Sequence, residues 1–239
     1  MDKHKIHWKR WNILCNPKEN GGLGFRSLSN FNMAMLSKQA WRIVAEPTSL
    51  IACIYKAKYF PTCSFWEAET HSSPSYSWRS IFSTREMLKE NIYWQVGNGD
   101  TISVFQDKWI HGSSTGVPEC INLADQEVSV VSDLMDSVGS WDIAKVQRLF
   151  SAADATRILN IPLSRRIVVD RLCWRLAMDG KFSVKSMYRF VFFHSPSYCP
   201  IESSVGMKFW KLLWKTHIPN KARYMLGESV LIFCLHLVV

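Results

Sequence analysis

The sequence predicts an α+β fold, mostly helical, with two short β-hairpins at about 92–105 and 171–182. Three observations carry this. Apolar residues recur every three or four positions through much of the chain, the spacing that gives a helix one buried face. Asn98-Gly99 and Asp179-Gly180 each sit between short apolar runs, and these dipeptides suit the tight turns that join antiparallel strands. Eleven tryptophans in 239 residues supply large apolar anchors for a helical core.

Residues 1–27 read as an irregular basic lead-in that ends in Gly21-Gly22-Leu23-Gly24, where glycine suits a bend or close backbone packing. No Gly-Lys-Ser/Thr follows, so this is not a phosphate loop. A helix is expected from about Ser29 to Ala45, with Phe31, Ala34, Met35, Trp41 and Val44 in register and Ser29 or Asn30 as N-cap. Pro47 breaks it. A second helix, about Thr48 to Tyr59, is ended by Pro61, and a third spans about Trp78 to Glu90. In the first hairpin, Trp94 and Val96 would share one face and Tyr93 and Gln95 the other. Short helices are expected near 131–136, 142–150 and 152–159. The second hairpin follows, then a helix capped by Ser183 and running to about Phe193. His194 to Gly206 reads as a polar linker. Beyond it, Met207 to Lys215 forms a helix with Phe209, Trp210, Leu213 and Trp214 on one side and Lys208, Lys211 and Lys215 on the other.

The formal charge of +9 is unevenly placed. Residues 1–60 hold ten Lys or Arg against three acids, and 207–225 hold five against none, while 61–206 are slightly acidic. Basic ends of this kind suit a polyanion, RNA or DNA above all, or else a solvated surface without a partner. The aromatic and basic residues interleave at Trp8-Lys9-Arg10-Trp11 and again over 209–215. The candidate nucleic-acid-binding residues are therefore Lys9, Arg10, Lys208, Lys211, Lys215, Lys221 and Arg223. In the second stretch the helical aromatic spacing also fits core residues with solvated lysines.

Seven cysteines, odd in number and widely spaced without C-x-x-C, together with a polar basic start, suit reduced thiols in an intracellular protein, with nucleus and cytoplasm both open. No apolar run approaches a membrane span, and no small-molecule substrate is indicated. A catalytic site is not expected. Gly-x-Ser-x-Gly is absent. The aspartates at 100, 107, 133, 136, 142, 154, 170 and 179 are scattered rather than paired for divalent metals, and Asp100 and Asp107 read as turn residues. His4, His7 and Cys15, or Cys234 and His236, are incomplete as zinc ligand sets.

An ordered set of segments resembles one family. The set comprises Leu14-Cys15-Asn16-Pro17-Lys18, Gly21 to Arg26, Phe31 to Arg42, Lys56 to Pro61, Ser77 to Ile81, Val96-Gly97-Asn98-Gly99-Asp100, Asp107-Lys108-Trp109, Phe182 to Tyr188, Trp210 to Lys215 and Ile218 to Lys221. Together they resemble the region downstream of the polymerase in plant LINE-type (non-LTR) retrotransposon reverse transcriptases, where it runs into the reverse transcriptase zinc-binding domain. The resemblance covers about residues 8–226. Phe105 departs from it, standing where the family often has Trp.

That resemblance implies a connector region over 1–193, a linker at 194–206 and a truncated zinc-binding-like start at 207–239. The family's Tyr-x-Asp-Asp carboxylates lie upstream of it. Its zinc ligands lie downstream, and Cys234 and His236 do not match them, so no zinc or other cofactor is expected. The implied function is a non-enzymatic fragment with residual nonspecific RNA or DNA binding. Two alternatives stay open: a protein-interaction module docking on a reverse transcriptase polypeptide, and an inert pseudogene product. A helix at 207–215 lacking the family's following helices would leave Phe209, Trp210 and Trp214 short of packing partners, which makes 207–239 the segment expected to exchange amide hydrogens fastest.

Overall fold

The computed structural model describes residues 11–20, 22–69, 73–113, 115–121, 128–136, 138–164, 168–195, 198 and 207–236; at 207, 220, 228 and 231–236 the backbone alone is described. The fold is α+β and mostly helical. The helices are α1 (Trp11–Cys15), α2 (Leu28–Ala45), α3 (Leu50–Tyr59), α4 (Tyr76–Phe82), α5 (Arg85–Glu90), α6 (Ile143–Leu149), α7 (Ala152–Leu159), α8 (Val184–His194), α9 (Met207–Lys215) and α10 (Asn220–His236). The strands are β1 (Ile92–Gln95) and β2 (Arg171–Trp174). The chain divides into two compact units, residues 1–35 with 184–239, and residues 36–183.

The helices begin where a side-chain oxygen meets the unpaired N–H groups of a first turn. Ser49 caps α3 by accepting from Ala52 N–H, Ser75 caps α4 through Trp78, Asp142 caps α6 through Lys145, and Ser151 caps α7 through Asp154. For α2 the oxygen belongs to Ser27, which accepts from Asn30 N–H, so the helix starts one residue before the expected Ser29 cap. The single helix expected over 78–90 is two, α4 and α5. Thr84 between them is fully buried, and its hydroxyl turns back to the Ile81 carbonyl at 2.8 Å, ending one helix as the next begins. The described part of the N-terminal lead-in is not irregular: it holds α1 and a 3₁₀ turn at Lys18–Asn20. A Cβ on Gly22 would lie 2.0 Å from the Asn16 carbonyl oxygen, so glycine alone lets the two backbones meet.

Neither expected hairpin forms, although both first strands do. β1 pairs antiparallel with β2 across the sequence, Ile92 opposite Trp174 and Gln95 opposite Arg171. Asn98 keeps a negative φ, so the turn that needs two positive φ values is not made; Gly99 alone of the pair is left-handed, at +77°. Past the loop, the second expected strand is pulled inward instead. Ile102 and Val104 are fully buried, and they bond to the segment 129–131, where Val131 N–H donates to Ile102 and Val104 N–H to Ser129. At the other site the Asp-Gly turn is present, with Gly180 at φ +66° and Trp174 N–H on the Gly180 carbonyl at 2.8 Å, but no strand follows it.

In the unit of residues 36–183 one core gathers Val96, Ile102, Val104, Trp109, Val131, Leu134, Val146, Leu149, Phe150 and Ile158. Trp109 is fixed within it by an Nε1–H bond to the Val104 carbonyl at 3.0 Å. A second aromatic group centres on Trp78, stacked on Tyr59 at 4.6 Å and flanked by Phe60, Phe65 and Phe82. Trp41 packs on Trp174 and Phe182 beside β2. No helix among the described residues is long and apolar enough to cross a membrane.

Candidate nucleic-acid interface

Within the unit of residues 1–35 and 184–239, α9 matches its expected bounds residue for residue. Trp210 (1% exposed) and Leu213 (8%) face inward and pack with Val230 of α10, so Trp210 has the partner that the sequence left it without. Phe209 stays 40% exposed. Trp214 donates from Nε1 to the Lys18 carbonyl at 3.1 Å, and the Lys18 ammonium lies 4.7 Å from the centre of its ring. These contacts set α9 against the 3₁₀ turn at Lys18–Asn20.

The expected cations divide into three groups. Lys208, Lys211 and Lys215 are exposed, three and four residues apart along one side of α9, and Lys221 is exposed in the first turn of α10. Lys211 approaches Glu19 at 3.9 Å. Arg223 is engaged: its guanidinium donates to the carbonyls of Ile218 (3.0 Å) and Trp214 (3.2 Å), closing the turn between α9 and α10. Lys9 and Arg10 lie outside the described residues, as do His4 and His7.

Tertiary structure changes the meaning of the charge pattern. The unit of 1–35 and 184–239 holds 13 Lys and Arg against 4 acids, whereas 36–183 holds 16 of each. The whole formal charge of +9 therefore belongs to one unit, the unit that carries α9.

The carboxylates have structural duties. Asp170 accepts the N–H groups of Gly97 (2.8 Å), Gly99 (2.9 Å) and Thr101 (3.0 Å) and the Thr101 hydroxyl (2.8 Å). Asp107 accepts Ser103 N–H at 2.8 Å; its burial pushes the carboxyl above the ordinary range against the pull of that bond. Asp133 accepts from Val130 and Ser129 N–H, and these bonds, Val130 first, hold it below the ordinary range. Asp136 bonds Val138 and Ser140, and Asp154 bonds Glu119 N–H and the Arg157 guanidinium at 2.7 Å. Among the described residues no three of His, Cys, Asp and Glu are grouped to hold a metal ion. Cys15 is buried, and burial raises its thiol pKa. The Asp170 clamp had no local signal in the sequence, because its partners lie about seventy residues away.

The comparisons with known proteins place the chain. It is 43% identical over 110 residues to an uncharacterized mitochondrial protein of Arabidopsis thaliana, covering 46% of this chain and 71% of that protein. The chain belongs to the family of that protein. It is also 30% identical over 238 residues to an Arabidopsis thaliana protein named as a putative ribonuclease H protein; the match takes in 94% of this chain but only 36% of that longer relative. No protein-family model and no solved structure matches. Neither relative's name assigns a role to any residue.

Proposed function

We propose that this chain is a non-enzymatic segment of a retrotransposon reverse transcriptase of the plant LINE type, and that it binds RNA or DNA without sequence preference through its basic unit. The observation that carries the reading is the segregation of charge: one compact unit holds the entire +9, with Lys208, Lys211, Lys215 and Lys221 in solvent. A surface of this kind neutralises phosphates and releases their counterions, which gives affinity without base recognition. The motif order and the 94% coverage by a relative named for ribonuclease H support the retroelement origin.

Fluorescence anisotropy with labelled duplex and single-stranded oligonucleotides tests the binding. Affinity should fall steeply between about 50 and 200 mM salt. Replacing Lys208, Lys211 and Lys215 together by Ala should flatten the log–log salt slope on duplex DNA by about 0.9 for each phosphate that is no longer neutralised. Absence of binding to any oligonucleotide at low salt would refute it. The reading needs no metal. Protein purified without chelator should carry no stoichiometric zinc, and EDTA should leave its melting temperature unchanged; zinc at one equivalent would show that the family's metal site persists in altered form.

A further inference from the structure

Deepening the nucleic-acid reading above, on which it rests, we infer that the basic unit binds single strands in preference to duplex, in a groove between the 24–26 loop and α8. The groove encloses about 620 Å³, a volume ordinary for ligand clefts. Three cations line it: Arg26 from the loop, and Lys185 and Arg189 one helical turn apart on α8, all exposed. Among its described lining residues Glu19 is the one acid, and Lys211 of α9 stands 3.9 Å from it. Through Lys211 the basic side of α9 therefore borders the groove at Glu19 and shares the sign of its three cations.

Its aromatic residues select the strand type. Phe25 (39% exposed) and Phe193 (40% exposed) open onto the groove, and Trp11, 53% exposed, lies 5.6 Å from Phe25. The site is built rather than incidental. The Tyr188 hydroxyl accepts Ser27 N–H at 3.0 Å, tying α8 to the start of α2, and the Arg26 guanidinium sits 4.8 Å over Phe31. Half-exposed rings beside exposed cations suit unstacked bases whose phosphates need partners. A duplex keeps its base faces stacked inside and can use only the cations. Sequence reasoning missed this cluster because Arg26 and Arg189 are far apart in the chain, and each looks like an ordinary surface residue alone.

The test uses the whole chain with labelled twelve-nucleotide oligouridine, oligothymidine and a duplex of equal length; the first two arms separate RNA from DNA. Wild type should bind single strands more tightly than duplex. Phe25→Ala and Phe193→Ala should each weaken single-strand binding by about 5- to 100-fold while leaving duplex affinity unchanged, with circular dichroism confirming that each variant is folded at the assay temperature. Lys185→Glu with Arg189→Glu should weaken both. Photocrosslinking of wild type to a 5-iodouridine oligonucleotide, which needs no variant, should label peptides containing Phe25 or Phe193. Duplex preference, unchanged single-strand affinity in both Phe variants, or crosslinks confined to other peptides would overturn the groove while leaving nonspecific binding intact. Absence of all binding would remove the functional reading itself.

Discussion

At Asp170 one carboxylate satisfies three backbone N–H groups and a hydroxyl of the Gly97–Thr101 loop. Asp170→Ala leaves those donors without their charged acceptor and should cost about 2–3 kcal/mol in urea denaturation, with Asp170→Asn costing less because one carbonyl oxygen remains. The loop's glycines are needed for different reasons. At Gly97 a Cβ would stand 2.2 Å from the Val168 carbonyl oxygen, whereas Gly99 has both φ +77° and the Ser132 nitrogen 2.6 Å from its Cβ position. Gly97→Ala should therefore destabilise by about 2 kcal/mol through backbone displacement alone. Asp133 makes the stability depend on pH. Its folded pKa is depressed, so its contribution is present above the unfolded value of about 3.9 and is lost as pH falls through the folded one. The stability gap between wild type and Asp133→Asn should accordingly narrow between pH 5 and pH 3, read from urea midpoints.

At the level of the element, helices were largely legible and strand pairing was not. The bounds of α7 and α9 follow from apolar spacing, because a helix face is decided by residues three and four apart. The Asn-Gly and Asp-Gly signals located turns correctly but implied local pairing, and the strands instead found each other across the chain. A local turn signal competes with every other use of the same residues. Here burial of Ile102 and Val104, together with Asp170's claim on the loop amides, outweighs closure of a two-residue hairpin. For α9, Trp210→Ala should cost about 3 kcal/mol locally, seen as faster amide exchange in α9 and α10. Even in wild type those amides should exchange faster than β1, because among the described residues the buried core of the helix pair is small, Trp210 and Leu213 packed with Val230. Equal protection would show that α9 and α10 unfold only with the rest of the chain.

Across the whole molecule the net charge belongs to the unit of residues 1–35 and 184–239, and the unit of residues 36–183, neutral overall although it takes Lys38, Arg42, Lys56 and Lys58 from the basic first sixty residues, is inserted between those two segments in sequence. A chain whose basic unit binds polyanions should show a salt-dependent affinity that tracks substitutions at Lys208, Lys211, Lys215 and Lys221 and ignores charge changes within 36–183. A reversal at Lys56, exposed on α3 in the neutral unit, is the matching control.

Composition, apolar period and capping residues determined that this chain is mostly helical, that its ends are basic and that Asp100 and Asp107 mark turns. These are local properties, set by neighbours within a turn or two of the backbone. Tertiary structure decided that β1 meets β2, that Asp170 holds the Gly-Asn-Gly loop, that Arg223 closes a helix turn, and that Arg26 shares a groove with Arg189. Each of those depends on which distant surfaces bury together, and loop closure costs little extra free energy as the separation grows, so sequence distance did not forbid them and could not reveal them.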